Sequence, residues 1–436
     1  MITEGIILGC GYLAIQTLRD MTKFRIKKGL HRVLEIDNSY KVVNIINVET
    51  GYKAIISCMY EGYLELEKLK DKIDSTIGYM TELEQNDNYK TATLSISTKP
   101  IQDNDKFTIQ RVKPYELYLG QTHMGKKIIV SMKEYPHMLY TGINNSGKTY
   151  CLLTALTNLI NQYGERDIEL YLAQTSAKKD LRKFKDCIQC RGFAQDLNES
   201  LDLFNYLFHT MQKRINMFNS VEEGYIDDVY SWNEAFPKRR MRIIYLAMDE
   251  FNAFMSDKLD SKSDASIKDK SMDLLVKLIQ QCRCTGIYVL TSLQRPDKES
   301  LPPRLKCQFN TRISFKQSNI ASSLTACDSD KAFYLKNREA IVNADTEYLM
   351  KTLYLDNDMI EGFIKNRIDK SNKYYWDRNK ESVNKESIKC AINESKEDVK
   401  YIKQSDRSKV ITIDEKDIKE YKVKKKAIRS HKKKCI

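Results

Sequence analysis

At 436 residues the chain has room for two or three domains and a sizeable core. Its 42% hydrophobic and 30% charged residues are ordinary for a soluble globular protein, and its eleven cysteines show none of the paired spacings of a disulfide-stapled framework. A net charge of +13 points to a polyanionic partner, nucleic acid or an anionic membrane surface, although part of the excess lies in the C-terminal tail.

In chain order, Gly5–Leu18 is mostly apolar but, at about 14 residues, shorter than the roughly 20 a spanning helix needs. The basic residues from Arg19 to Arg32 that follow are the wrong flank for a cleavable signal peptide. Residues 1–32 suit either a short or interfacial membrane anchor or a buried helix of the first domain. Residues 33–115 carry β-type runs at Val42–Val48, Tyr52–Cys58, Thr91–Ser97 and Lys106–Val112, with a helical stretch at Leu64–Tyr79. They predict a small α+β adaptor domain. Cys187-Ile188-Gln189-Cys190 is the only C-x-x-C. No second pair stands at zinc-site spacing, which favours ordinary thiols.

The stretch Leu139–Thr149 carries the chemistry. Gly142, Gly147, Lys148 and Thr149 satisfy G-x-x-x-x-G-K-[ST], between an apolar strand at Met138–Tyr140 and an apolar helix at Tyr150–Ile160. This loop, Gly142-Ile143-Asn144-Asn145-Ser146-Gly147-Lys148-Thr149, is expected to hold ATP. Its N–H groups and the following helix N-terminus cradle phosphate. Lys148 reaches the β/γ-phosphates and Thr149 ligates Mg²⁺. Strands at Ile128–Val130, Ile168–Ala173, Ile287–Thr291 and Thr311–Phe315 alternate with helices, including a basic helix start at Lys178–Lys185 and one at Leu197–Phe218. That pattern predicts a mainly parallel sheet.

Ile243–Leu246 leads through Ala247-Met248 to Asp249-Glu250, a Walker B pattern: Asp249 for Mg²⁺, Glu250 for the attacking water. Ser256–Lys270 reads as a mobile loop, and Met272–Cys282 as a helix. The next strand ends at Gln294-Arg295-Pro296, where an amide can sense the γ-phosphate. Past Tyr354 the composition turns charged, with Asn372–Glu397 rich in Lys, Glu, Asn and Ser. The tail Lys422–Lys434 is basic without an acid, and DNA or anionic lipid is a further partner for it.

In this order the motifs resemble the FtsK/SpoIIIE/HerA family of DNA-translocating ATPases. The likeness is carried by Pro136-His137-Met138 before the loop, Met211-Gln212-Lys213-Arg214 with Phe218, and Asp249-Glu250-Phe251. Arg283-Cys284-Thr285-Gly286-Ile287 running to Gln294-Arg295-Pro296, and Thr311-Arg312-Ile313-Ser314-Phe315, extend it. The resemblance spans about 116–350. It implies a RecA-like motor, a homo-hexameric ring around DNA, and Arg283 as an arginine finger acting in trans, with Arg295 and Arg312 as runners-up. Gln294 takes the sensor role. Gln174-Thr175-Ser176 stands where the family usually has Asp-Pro-Lys. Neither a multispan N-terminus nor a C-terminal winged helix is legible.

The expected architecture is α/β: a RecA-like P-loop NTPase core over 116–355, the adaptor over 33–115, and a charged region over 356–436 with a basic, largely disordered tail. The expected function is that of a coupling protein of Gram-positive conjugative elements, at the inner face of a bacterial cell membrane, with relaxase and secretion-channel partners. A segregation translocase of the same family and a nucleotide-gated DNA-binding scaffold are the alternatives.

Overall fold

Buried parallel strands need side chains that are apolar on both faces. Such runs stand at Met138–Thr141, Ile243–Met248 and Ile287–Leu293, and every residue in them is buried. The computed structural model describes residues 2–34, 39–58, 61–176, 179–221, 226–297, 300, 301, 303–371 and 374, with backbone alone for 2–16 and 304. They divide into two units. One comprises Met1–Lys106, Gly120–Ile128 and Leu349–Leu353; the other comprises Phe107–Leu119, Ile129–Tyr348 and the described residues from Tyr354 on.

In the first unit, α1 (Ile2–Leu34) precedes β1 (Tyr40–Val48), β2 (Gly51–Cys58), α2 (Tyr63–Lys68), α3 (Lys70–Ile77), β3 (Met80–Gln85) and β4 (Thr91–Ser97). The strands form an antiparallel sheet in the order β1-β2-β4-β3. Ala54 and Ile56 on β2 and Ala92, Leu94 and Ile96 on β4 cluster with Ile26, Leu30, Val33 and Leu34 of α1. Further towards the N-terminus, α1 exposes Leu18, Met21 and Phe24. Among the described residues no helix is long and apolar enough to cross a membrane. The one helix expected over Leu64–Tyr79 is two, divided at Leu69, and left-handed Gly78 ends the second. The unforeseen β3 alternates Thr81 and Leu83 with Glu82 and Glu84, too weak an apolar pattern to read.

The larger sheet takes β5 (Glu116–Gln121), β6 (Lys127–Ser131), β7 (Met138–Thr141), β8 (Ile168–Ala173), β9 (Cys190–Ala194), β10 (Ile243–Met248), β11 (Ile287–Leu293), β12 (Thr311–Phe315), β13 (Glu339–Asn343) and β14 (Glu347–Lys351). Their order is β6-β5-β14-β13-β12-β7-β11-β10-β8-β9. The strands from β12 to β9 are parallel, whereas β12–β13 and β14–β5 are antiparallel. The sheet is therefore mixed rather than purely parallel, with its parallel part running from β12 to β9. The three-residue connection between β13 and β14 is too short for a parallel crossover.

The helices are α4 (Lys148–Gln162), α5 (Leu197–Asn219), α6 (Val229–Ala235), α7 (Lys262–Gln281), α8 (Pro303–Lys306), α9 (Ile320–Cys327) and α10 (Asn357–Ile364). Asp196 caps α5, accepting from the Glu199 N–H at 2.8 Å, and the stripe Phe204, Leu207, Met211 and Phe218 packs into the core.

Three expectations change here. Lys106–Val112 forms no strand: its backbone groups at Gln110 and Val112 bond instead to Asn158, Gln162 and Tyr163 at the end of α4. The supposed loop Ser256–Lys270 is half helix. Ser261 caps α7 from the Asp264 N–H at 3.1 Å, and its Lys- and Asp-rich face is simply the solvent side. The expected helix start over Lys178–Lys185 is, in the described residues, a short 3-10 turn at Leu181–Phe184. Asn372–Glu397, apart from Tyr374, and Lys422–Lys434 lie outside the described residues.

Candidate nucleotide site and its supports

The Gly-rich turn leaves β7 and enters α4, whose first residue is Lys148. Gly142, Asn145 and Gly147 have φ of 144°, 60° and 120°. At Gly147 an added Cβ would stand 2.9 Å from the Phe315 ring and 3.0 Å from the Arg338 backbone, so neither the conformation nor the space admits a side chain. Asn144 and Asn145 are exposed, Ile143 and Thr149 half-buried, and Ser146 buried with its hydroxyl on the Ile143 carbonyl at 2.7 Å. The Lys148 ammonium is buried and donates to the carbonyls of Gly142 and Ile143, the latter at 2.9 Å.

The loop is braced from both sides. The Gly142 N–H donates to Leu293 of β11 at 3.3 Å and the Ile143 N–H to Lys316 at 2.9 Å, while the Arg338 N–H donates to Ser146 at 3.0 Å. Buried Gln317 donates to the Thr141 hydroxyl at 3.2 Å, and its N–H reaches Ala332 at 2.9 Å.

Parallel register brings the acidic pair to the same sheet edge, since Met248 pairs with Thr291 and Leu293 with Thr141. Asp249 is buried, and the Ser176 hydroxyl donates to its Oδ2 at 2.5 Å. Gln174 Nε2 stands 3.5 Å from the same oxygen, and the Ser292 hydroxyl donates to the Asp249 main-chain carbonyl. Half-buried Glu250 accepts the Gln294 N–H at 3.1 Å. The phosphate-type loop, Asp249, Glu250 and Gln294 thus share one edge.

Arg283 does not join them. It is exposed in the turn between α7 and β11, at the opposite end of a strand whose seven residues span about 20 Å. That turn is tightly built. Buried Arg214 donates to Thr285 at 2.5 Å and to Arg242 at 2.9 Å, and the Val229 N–H donates to Cys284 at 2.8 Å. Gly286 has φ of 68°, and a Cβ there would lie 2.7 Å from Val229 Cγ1. Gly286→Ala should therefore cost about 1–3 kcal/mol of stability, read as a lowered urea midpoint. An unchanged midpoint would show that the turn relaxes freely. Arg295 is exposed, and Arg312 is ion-paired with Asp328 at 2.9 Å.

His137, just before β7, is buried with φ of 61° and accepts the Val289 N–H on Nδ1 at 3.1 Å. Burial lowers its pKa to about 4, with Arg283 adding to the same direction. Protonation would also set a donor against the Val289 N–H. Because the folded value lies below the unfolded one of about 6.5, the stability is full above pH 6.5 and is lost as pH falls towards 4. Between pH 7.5 and 4.5 the loss attributable to His137 should be about 2.5 kcal/mol. Urea unfolding of His137→Asn, which tolerates positive φ and keeps an acceptor, should show that much less pH dependence. Equal slopes in both proteins would remove the histidine from the account.

Mg²⁺ prefers a few hard oxygen donors alongside phosphate oxygens. The Thr149 hydroxyl and the Asp249 carboxylate are of that type, and among the described residues no three His, Cys, Asp or Glu cluster as an all-protein metal cage. The site fits the ion. Cys187 and Cys190 are buried, and burial pushes the Cys187 thiol up to about 12. What the motifs did not reveal is the set of supports: Ser176, Gln174, Ser292, Gln317 and the Arg338 N–H. Only Gln174–Ser176 left a trace, as a departure from the family pattern.

Residues 99–298 match the FtsK/SpoIIIE family. The chain is 23% identical over 211 residues to the DNA translocase FtsK of Caldanaerobacter subterraneus subsp. tengcongensis, covering 48% of this chain and 28% of that protein. It is 21% identical over 268 residues to the DNA translocase SpoIIIE of Bacillus subtilis, covering 59% and 33%. The matches thus span about a quarter to a third of the length of these curated relatives. In fold it resembles the pCW3 conjugation coupling protein TcpA, a monomer form with ATPγS. The TM-score is 0.57 at 16% identity, over 80% of this chain and 99% of that one. The cytoplasmic domain of the Thermomonospora curvata Type VII secretion ATPase EccC gives a TM-score of 0.50 at 17% identity, over 61% and 32%. At such identities the structural likeness speaks to fold alone. The matched stretch holds both the Gly-rich loop and Asp249-Glu250, and residues 99–298 of this chain are a domain of the FtsK/SpoIIIE family.

Proposed function

We propose that the chain is an ATP-driven DNA translocase, and that it serves as a coupling protein delivering DNA to a conjugative transfer channel. The observation that carries this reading is the shared edge of Gly142–Thr149, Asp249-Glu250 and Gln294 inside the FtsK/SpoIIIE stretch. Curated relatives named as DNA translocases support the motor. The likeness in fold to a conjugation coupling protein, over nearly the whole of that chain, is compatible with the conjugative setting proposed here. The net charge of +13 suits a phosphate backbone followed without base readout.

In this reading the N–H groups of Gly142–Thr149 and the Lys148 ammonium hold the phosphates of ATP. Thr149 and Asp249 hold Mg²⁺, which when bound neutralises phosphate charge. Glu250 orients water and takes its proton, while Gln294, whose N–H rests on Glu250, senses the γ-phosphate. Arg283 lies too far along its own strand to serve its own loop, so it acts on the nucleotide of a neighbouring subunit in a hexameric RecA-like ring. A relaxase and channel proteins are the partners, and α1 faces an anionic membrane surface.

The test is ATPase activity of the purified chain with single- and double-stranded DNA, together with displacement of a triplex strand. DNA-stimulated turnover with displacement supports the motor. Nucleotide binding without stimulation would replace it with the scaffold.

A further inference from the structure

β8 and β10 are parallel neighbours with Ala173 opposite Met248, so the residues that leave them, Gln174–Ser176 and Asp249, emerge side by side. The Asp249 N–H donates to Ala173 at 3.2 Å, and the Gln174 N–H donates to Ala194 of β9 at 2.9 Å. Gln174 is buried, and its Oε1 accepts the Leu181 N–H at 3.2 Å. That bond fixes the amide orientation: the oxygen is taken, so the NH₂ group is the end that faces Asp249. At 3.5 Å its contact with Oδ2 is long, but the Ser176 hydroxyl reaches the same oxygen at 2.5 Å, the length of a charge-assisted bond.

We propose that Gln174 and Ser176 are positioning residues for the Asp249 carboxylate: together they hold Oδ2 and leave Oδ1 as the oxygen presented to a magnesium–nucleotide ligand. The inference rests on the nucleotide-site reading above. Its physical content is directional. A carboxylate with both donors on one oxygen cannot turn about its last torsion without losing them. The Ser292 hydroxyl on the Asp249 carbonyl fixes the main chain beneath it. Both partners are neutral, so neither brings a charge of its own to the place a cation would take. An aspartate at 174 would instead set a second anion beside it, and the two would have to share a proton or a metal. The departure from the family's Asp-Pro-Lys thus exchanges an acid and a base for a pair of neutral donors.

The experiment is Mn²⁺ titration followed by electron paramagnetic resonance, on the full chain saturated with a non-hydrolysable ATP analogue. Analogue affinity in EDTA and thermal melting are recorded alongside. Ser176→Ala should weaken Mn²⁺ binding about 10-fold, the loss typical of an outer-shell partner, with melting and metal-free analogue affinity unchanged. Ser176→Thr, which keeps the hydroxyl, should stay within about twofold of the parent. Gln174→Ala should fall between them, as its longer contact requires. Parental Mn²⁺ affinity in Ser176→Ala, or an equal loss in Ser176→Thr, overturns the positioning role and leaves the site standing. A parent chain that binds neither analogue nor Mn²⁺ overturns the site and this inference together.

Discussion

Lys148→Ala should abolish ATP turnover, with a loss of roughly 10³-fold or more relative to the parent. The ammonium is the one charge placed inside the Gly142–Thr149 turn, buried at the first residue of α4, where it donates to Gly142 and Ile143. Alanine removes three donors and a unit charge from the place where phosphate charge must be met. It also takes a donor from the Gly142 and Ile143 carbonyls, of which Ile143 keeps the Ser146 hydroxyl, so the loop should lose about 1–2 kcal/mol of local stability while the sheet beneath it keeps its fold. Arginine should not rescue: its planar fork cannot occupy a pocket shaped around a compact ammonium. Steady-state turnover with a circular dichroism check of folding decides the matter. Parental turnover in the alanine variant would show that this loop is not where ATP is hydrolysed.

Glu250→Gln should separate binding from chemistry. Glutamine keeps the shape of the side chain, and its amide oxygen can still accept the Gln294 N–H now held at 3.1 Å. Only the charge and the capacity to take a proton are lost. ATP affinity should stay within a few-fold of the parent while turnover falls about 10²–10⁴-fold, the range for a general base. Binding of a fluorescent ATP analogue and single-turnover hydrolysis, measured on the same preparation, make the comparison. A parental rate constant would take Glu250 out of the reaction and leave the search for the base open.

The fold was most readable where local signals needed no partner. Strands β7, β10 and β11 read as short, mostly apolar runs because every residue in them is buried. Strand β3 was not legible because its apolar alternation is weak, and β13 and β14 were not because β12 and β5, against which they pair, are separated from them along the chain by other elements. The antiparallel extension of the sheet went unseen for the same reason. The start of α7 was masked by its own solvent face: Lys262–Lys270 reads as a loop unless Ser261 is recognised as a cap.

At the candidate site the split is similar. Glycine requirements and the Asp-Glu step at a strand end are written in short spacings. The groups that hold Asp249 arrive from β8 and β11, and only parallel register shows that Ser176 and Ser292 face the same residue. Arg214 was visible as part of a motif, but not as a buried guanidinium tying α5 to the Arg283 turn. Nothing in residues 211–214 indicates that their partner is the carbonyl of Thr285.

The bracing of the Gly142–Thr149 turn has a mechanical consequence. Its main chain is shared with Lys316 on one side and Arg338 on the other, and Gln317 joins that stretch to Ala332. Between those anchor points lies α9, with Ile320, Leu324 and nearby Tyr334 exposed. A shift of the loop stretches these bonds or is passed along them. The loop and the outer surface of α9 are therefore parts of one linkage, and whatever rests on that surface is able to feel strain in the loop, or to impose it.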